Sequence, residues 1–204
     1  ELLSLVPFND ANALEDLLKK KHNEIGTLMI EPILGNCCSI SATQEYMQAV
    51  RDLCDKYDIV LIIDEVKTGF RVAKGGVQEL YGIEADLCTF AKSIANGYPI
   101  AALCGKEEYM RHIKYGGVLH GGTFTAHSVA ISAANKTLEI IQNTDALETV
   151  ANYGSKLKEG ISDILKKKDI PHSFTGHPSM SGLFFSESPP TNARDFRYSD
   201  YPFY

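Results

Sequence analysis

Apolar residues in this chain fall into two kinds of run. Short unbroken runs, each closed by a polar or turn-forming residue, alternate with longer stretches in which apolar positions recur every three or four residues. The first kind predicts strands. Residues 26–30 (GTLMI) close on Glu31-Pro32, residues 59–63 (IVLII) end at Asp64, and residues 86–90 and 100–104 form two shorter runs. Residues 59–63, all β-branched or leucine, are expected to form a strand buried on both faces. The second kind predicts helices. Asn12 with Glu15 reads as a capping box opening a helix through Lys21. Ser41 with Gln44 opens another that carries Tyr46, Val50, Leu53, Cys54 and Tyr57. A long helical stretch follows Thr125 to about Ile141, and Asp145 with Glu148 caps one reaching Lys168. Residues 173–175 and 182–186 look like strands of a smaller unit.

Strands alternating with helices predict an α/β fold with much parallel pairing, in a sheet order the pattern leaves open. Two units are expected, residues 1–142 and an incomplete α+β unit over 143–204. The chain has 204 residues, 44% hydrophobic and 23% charged, ordinary for a globular protein able to bury a core. Its net charge of −6 is dispersed, and the one cationic triplet, Lys166 to Lys168, sits where a helix ends. Nucleic-acid and anionic-membrane binding are therefore not indicated. Five cysteines form an odd set without a CxxC spacing, which points to a reducing, cytoplasmic setting with neither disulfides nor a zinc site. No stretch has the length of a membrane span, and no signal peptide opens the chain. With Glu1 first and a polar-aromatic tail ending at Tyr204, both ends read as cut.

Ligands of open α/β sheets gather at the carboxyl ends of strands. Glu31 and Asp64 both sit there, as caps for the next turn or as ligand-facing groups. The segment IVLIIDE also has the shape of a Walker B strand, in which the aspartate would hold magnesium. That reading requires a GxxxxGK[ST] loop, which this sequence lacks. A different chemistry is suggested by Lys92, 28 residues after Asp64 in TFAKSIANGYP. An amine that forms a Schiff base with an aldehyde, and a carboxylate that keeps a pyridine nitrogen protonated, are what pyridoxal phosphate chemistry requires. Lys67 competes for the amine role but lies only three residues beyond Asp64, too near the nitrogen's partner to serve the opposite end of the ring. Arg71 reads as a pairing partner for Glu65 or Glu79. His120 and His127, seven residues apart and without a neighbouring acid, do not suggest a metal site.

The run IIDEVKTGFRVAKGGVQELYGIEADLCTFAKSIANGYPIAAL closely resembles the central part of class III aminotransferases, which have the pyridoxal phosphate fold type I. Within that family GFRVAKGGVQ is most similar to the glutamate-1-semialdehyde 2,1-aminomutase group. EPILGN (31–36), GGTFTAHS (121–128) and GHPSMSGLFF (176–185) extend the resemblance over nearly the whole chain. The resemblance implies pyridoxal 5′-phosphate as cofactor, Lys92 as its internal-aldimine lysine and base, and Asp64 as partner of the ring nitrogen. Val66 would pack on one ring face, and Asn36 would lie near the ring hydroxyl and the substrate amine. Gly122 and Thr123 would reach the phosphate of the cofactor held mainly by the partner subunit, which implies a homodimer with shared active sites. Each has a plainer reading: Val66 as packing, Asn36 as a turn residue, Thr123 as cap of the following helix. Where many class III enzymes place glutamine, Lys67 stands, which shifts the ring-hydroxyl contact towards Asn36. GGTFTAHS and IANGYPIAAL depart from the aminomutase pattern, so aminotransferase and aminomutase both remain, acting on a small amino acid or amino aldehyde. The family's main phosphate loop and ring-stacking aromatic precede this stretch, and its last substrate-contacting strands follow it. A non-catalytic interaction fragment is therefore the independent alternative.

Overall fold

The computed structural model describes residues 2–114 and 117–198. Its main sheet has four strands in the order β1 (Thr27–Ile30), β4 (Val60–Asp64), β5 (Leu87–Phe90) and β6 (Ala102–Gly105). The first three run parallel and β6 is antiparallel to β5. Strand ends differ from the sequence expectation by a residue or two. At the first of them, Gly26 still joins the ladder through its carbonyl, which accepts the Val60 N–H at 3.1 Å. Between β1 and β4 the chain forms a short hairpin, β2 (Ile33–Leu34) with β3 (Ile40–Ser41), and then α2 (Gln44–Tyr57).

Both predicted capping boxes give way to nearer caps. The helix α1 (Ala11–Lys21) is capped by Asp10, whose Oδ1 accepts the Ala13 N–H at 2.9 Å, so Asn12 lies inside the helix. Ser41 is taken up by the β3 ladder opposite Ile33, and Thr43 caps α2 instead, accepting the Tyr46 N–H at 3.1 Å. Asp58 closes α2 in the left-handed conformation that lets the chain turn into β4.

The core lies between these two helices and the sheet. Leu14 and Leu18 of α1, Met47 and Val50 of α2, and Leu61 and Ile63 of β4 are all buried, each side chain contributing about 1.5–3 kcal/mol. Strand β4 is not buried on both faces, as the sequence suggested. Leu61 and Ile63 are covered completely, while Val60 and Ile62 on the other face are only partly covered. A second, smaller cluster joins Ile94, Ala95 and Ala134 to Phe70, Phe90 and Ala102. Ala134 comes from α5 (Ser128–Asn143), which is followed by α6 (Ala146–Lys166).

A further hairpin, β7 (Ser173–His177) with β8 (Met180–Phe184), docks on the β2–β3 hairpin. The Thr175 hydroxyl donates to the Cys38 carbonyl, and Gly182 is pressed so close to that carbonyl that any side chain there would collide with it. This docking matters for the site, because the β7–β8 turn reaches residues that follow β4.

Candidate functional site

The register of β4 and β5 creates the centre of the site. Asp64, last residue of β4, lies beside Thr89, and the Glu65 N–H donates to the Thr89 carbonyl at 2.9 Å. One carboxylate oxygen of Asp64 is thereby held from two sides. Its Oδ1 accepts the Val66 N–H at 2.9 Å and the Thr89 hydroxyl at 3.3 Å. Among the described residues nothing donates to Oδ2. The carboxylate is anchored by one oxygen and offers the other.

Strand β5 delivers the amine. After Phe90 and an extended Ala91, Lys92 takes a left-handed backbone conformation (φ 48°) at the start of the 3₁₀ turn Lys92–Ile94. For a residue with a side chain this conformation costs on the order of 1 kcal/mol, so the surroundings must hold it. They do: the Lys92 carbonyl accepts the Asn96 N–H at 3.0 Å, and Ile94 and Ala95 are buried in the second cluster. The base of Lys92 is fixed while its side chain is exposed, with no ion pair among the described residues.

A second polar pair joins the turn after β1 to the residues after β4. The Glu31 carboxylate, at the end of β1, accepts the Gly35 N–H at 2.8 Å and so serves the turn. Asn36 follows, and its Oδ1 accepts a hydrogen bond from Lys67 Nζ at 2.5 Å. Gly35 is what allows this, since a Cβ there would lie 2.2 Å from Lys67 Cδ. The sequence set Lys67 and Asn36 against each other; the structure joins them. Between Asp64 and Arg71 the chain is clamped by Glu65, fully buried. Its carboxylate accepts the Thr68 hydroxyl at 2.6 Å and the Val77 N–H at 2.9 Å, beneath Gly76 at φ 66°. Burial pushes the Glu65 carboxyl up, against the opposing effect of the Thr68, Val77 and Gln78 donors. Val66 is half-buried, and its N–H orients Asp64.

Arg71 pairs with neither acid the sequence offered. Glu65 is engaged as described, and Glu79 accepts the Gly75 N–H at 2.6 Å. Arg71 instead lines a cleft of about 370 Å³ with Lys92, Ser93, Asn96, Gly97 and Tyr98. Gly122 and Thr123 are exposed and make no hydrogen bond to this group; the Gly122 carbonyl accepts the Thr125 N–H at 3.0 Å. Thr123 does not cap α5. That role falls to His127, whose Nδ1 faces the Ala130 N–H at 3.3 Å. Among the described residues no group of three histidine, cysteine or acidic side chains is placed to hold a metal ion. Thr89 and Ser93 went unnoticed in the sequence. Thr89 is visible only once the strand register is known, whereas Ser93 adjoins Lys92 and could have been asked about.

Residues 6–197 match the profile of the family described as aminotransferase class-III. The glutamate-1-semialdehyde 2,1-aminomutase of Methanothermobacter thermautotrophicus is 37% identical over 196 residues, covering 96% of this chain and 46% of that protein. An omega-transaminase from Sphaerobacter thermophilus superposes with a TM-score of 0.86 at 29% identity, over 94% of this chain and 44% of the other. FumI of Sphingopyxis sp. MTA144, in its PLP internal aldimine form, superposes with a TM-score of 0.80 at 31% identity, over 88% of this chain and 44% of its own. The chain thus spans less than half the length of the relatives it matches.

Proposed function

Because the chain belongs to the class-III aminotransferase family, we propose that it serves pyridoxal 5′-phosphate-dependent amino-group transfer, as an aminotransferase or a glutamate-1-semialdehyde aminomutase-like enzyme. The observation that carries this reading is the pairing of Asp64 with Lys92. A carboxylate with one free oxygen and an amine with a fixed base stand at the ends of adjacent parallel strands. That donor set fits the cofactor, which when bound supplies an electron sink for the charge developing on the substrate carbon.

Each residue then has a defined task. Asp64 Oδ2 would accept from a protonated ring nitrogen and favour that protonated form, while Oδ1 is held by Val66 and Thr89. Lys92 would hold the cofactor through its amine, and the same amine would serve as general base and acid, moving a proton at the substrate carbon. Asn36, steadied by Lys67, would serve the ring hydroxyl, and Val66 would pack against the ring. Gly122 and Thr123 would reach the phosphate of a cofactor held mainly by a partner subunit, in a homodimer with shared active sites. Substrates are small amino acids or amino aldehydes. Five unpaired thiols favour a cytoplasmic setting, and among the described residues no helix is long and apolar enough to cross a membrane. The change from cofactor-binding unit to smaller unit falls at residues 142/143. The nucleotide-hydrolase reading of IVLIIDE finds no support in the family or in its structural relatives.

The test is spectroscopic. The chain loaded with pyridoxal 5′-phosphate is expected to develop a visible absorbance band that borohydride removes, and Lys92→Ala is expected to lack it. A wild-type chain that shows no such band would fit the non-catalytic fragment instead.

A further inference from the structure

We propose that Asn96–Gly97 is a self-modification site, at which the folded chain deamidates spontaneously to isoaspartate and aspartate and so loosens the turn that fixes Lys92. The modification needs only the peptide and water, and it stands apart from the cofactor reading of Lys92.

Backbone geometry explains why this dipeptide occupies the turn. The Tyr98 N–H donates to the Ala95 carbonyl at 3.2 Å, which makes Asn96 (φ 50°) and Gly97 (φ 115°) the two central residues. A turn with positive φ at both central positions is the kind for which Asn-Gly is preferred. The preference has a chemical consequence. With no side chain on the second residue, its backbone nitrogen is open to the amide carbon of the first.

The surroundings leave both reacting groups free. Asn96 and Gly97 are exposed and line the cleft beside Lys92. Among the described residues neither the Asn96 side-chain amide nor the Gly97 N–H makes a hydrogen bond, and a Cβ at Gly97 would meet no atom within 4 Å. Other asparagines differ. None of them precedes a glycine in the sequence. Asn36 Oδ1 is held by Lys67, and Asn143 Nδ2 donates to the Glu139 carbonyl at 2.9 Å.

The reaction balances with water as its only co-reactant. The Gly97 nitrogen attacks Asn96 Cγ, and a C–N bond forms while the side-chain nitrogen leaves as ammonia, taking the Gly97 proton. Water then opens the cyclic imide. Opening at Cγ gives aspartate, and opening at the main-chain carbonyl gives isoaspartate, whose main chain runs through the former side chain. Both products place a carboxylate in the cleft, and isoaspartate also lengthens the turn. That turn supports Lys92, whose carbonyl accepts the Asn96 N–H at 3.0 Å and the Ala95 N–H at 3.4 Å. A lengthened turn cannot keep these bonds and the Ala95–Tyr98 closure together, so the left-handed Lys92 backbone loses its support.

The experiment incubates the whole folded chain in mildly alkaline buffer and follows it by tryptic peptide mapping. Peptide 93–106 carries a single asparagine, Asn96. It should gain the mass of an amide-to-acid conversion and resolve into two products, while the peptides carrying Asn36 and Asn143 stay unchanged. The folded chain should convert at a rate within about tenfold of the urea-unfolded chain, as befits a turn that opens at little cost. Asn96→Gln should abolish the conversion. Limited trypsin digestion of the native chain then reads the turn itself. Cleavage after Lys92 should become faster by on the order of tenfold as wild type ages, and should not change with age in Asn96→Gln. Conversion more than about tenfold slower in the folded chain than in the unfolded one overturns the modification site, because the fold would then protect the bond. Conversion without faster cleavage after Lys92 overturns the link to the turn.

Discussion

The two ends of the parallel sheet handle buried charge in opposite ways. Where β5 begins, the Asp86 carboxylate is enclosed by donors. It accepts the Leu61 N–H at 2.7 Å, Arg51 Nη1 at 3.1 Å and Lys106 Nζ at 2.6 Å. Burial alone would push the Asp86 carboxyl up, but Lys106, the Leu61 N–H and Arg51 together bring it below the ordinary carboxylate range. Where β4 ends, Glu65 is buried with neutral donors only, and its carboxyl is pushed up. Around it, among the described residues, Asp64 keeps an oxygen free, Arg71 lacks a counter-charge and Ser93 lacks a partner. One end uses its polar groups to hold the sheet together. The other holds its backbone tightly and leaves its polar tips unspent, as expected where a ligand is to be met.

The comparison breaks most visibly at Asp86. Asp86→Ala leaves Arg51 and Lys106 without their shared anion and is expected to cost about 3–5 kcal/mol, read by urea or thermal unfolding. The pH profile adds a signed test. A carboxyl with a depressed folded pKa contributes stability that is complete above the unfolded value of about 3.9 and is lost as pH falls through the folded value. Wild type should therefore lose stability on acidification below about pH 4, and Asp86→Ala should lack that part of the slope. A cost under about 1 kcal/mol would mean that the network is no more than a surface ion pair.

Glu65 should behave with the opposite sign. A folded pKa raised above about 4.3 contributes stability that is complete below the unfolded value and is lost as pH rises through the folded one. Glu65→Gln mimics the protonated form, keeping an acceptor for Val77 while Thr68 turns to accept. It is expected to cost about 1 kcal/mol in acid and to gain on wild type as pH rises. Parallel pH profiles for the two proteins would show that Glu65 is charged at little cost, and the contrast between the sheet's ends would lose its electrostatic half.

Much of the open end was legible because it lies in local sequence. Asp64 closes an apolar run, Lys92 follows another, and the motifs around them carried the family resemblance without any knowledge of the fold. What escaped was set by pairing. Thr89 matters because the β4–β5 register puts it beside Asp64, and the Lys67–Asn36 bond depends on how the β2–β3 hairpin folds back over the residues after β4. The cap at Ser41 escaped for the same reason, whereas at Asn12 the helix simply begins earlier, on Asp10. Ser41 was already committed to β3, a pairing that a capping pattern cannot reveal. Arg71 reads as one member of an ion pair until the acids beside it prove to be engaged with backbone.

The smallest expected effect is the sharpest discriminator between the two ends. Ser93→Ala removes a hydroxyl that is buried without a partner among the described residues. In a region built for stability, deleting a buried polar group breaks bonds and costs about 1–3 kcal/mol, as removal of the Asp86 donors would. In a region that leaves polar groups open for a ligand, the deletion removes a desolvation cost and breaks nothing. Ser93→Ala is therefore expected to leave the unfolding free energy of the cofactor-free chain unchanged or raise it by up to about 1 kcal/mol. A loss greater than about 1 kcal/mol would mean that Ser93 Oγ already has a partner, such as a buried water, in solution. The hydroxyl would then belong to the framework, and the free polar groups beside Lys92 would reduce to Asp64 Oδ2, the Lys92 amine and the Arg71 guanidinium.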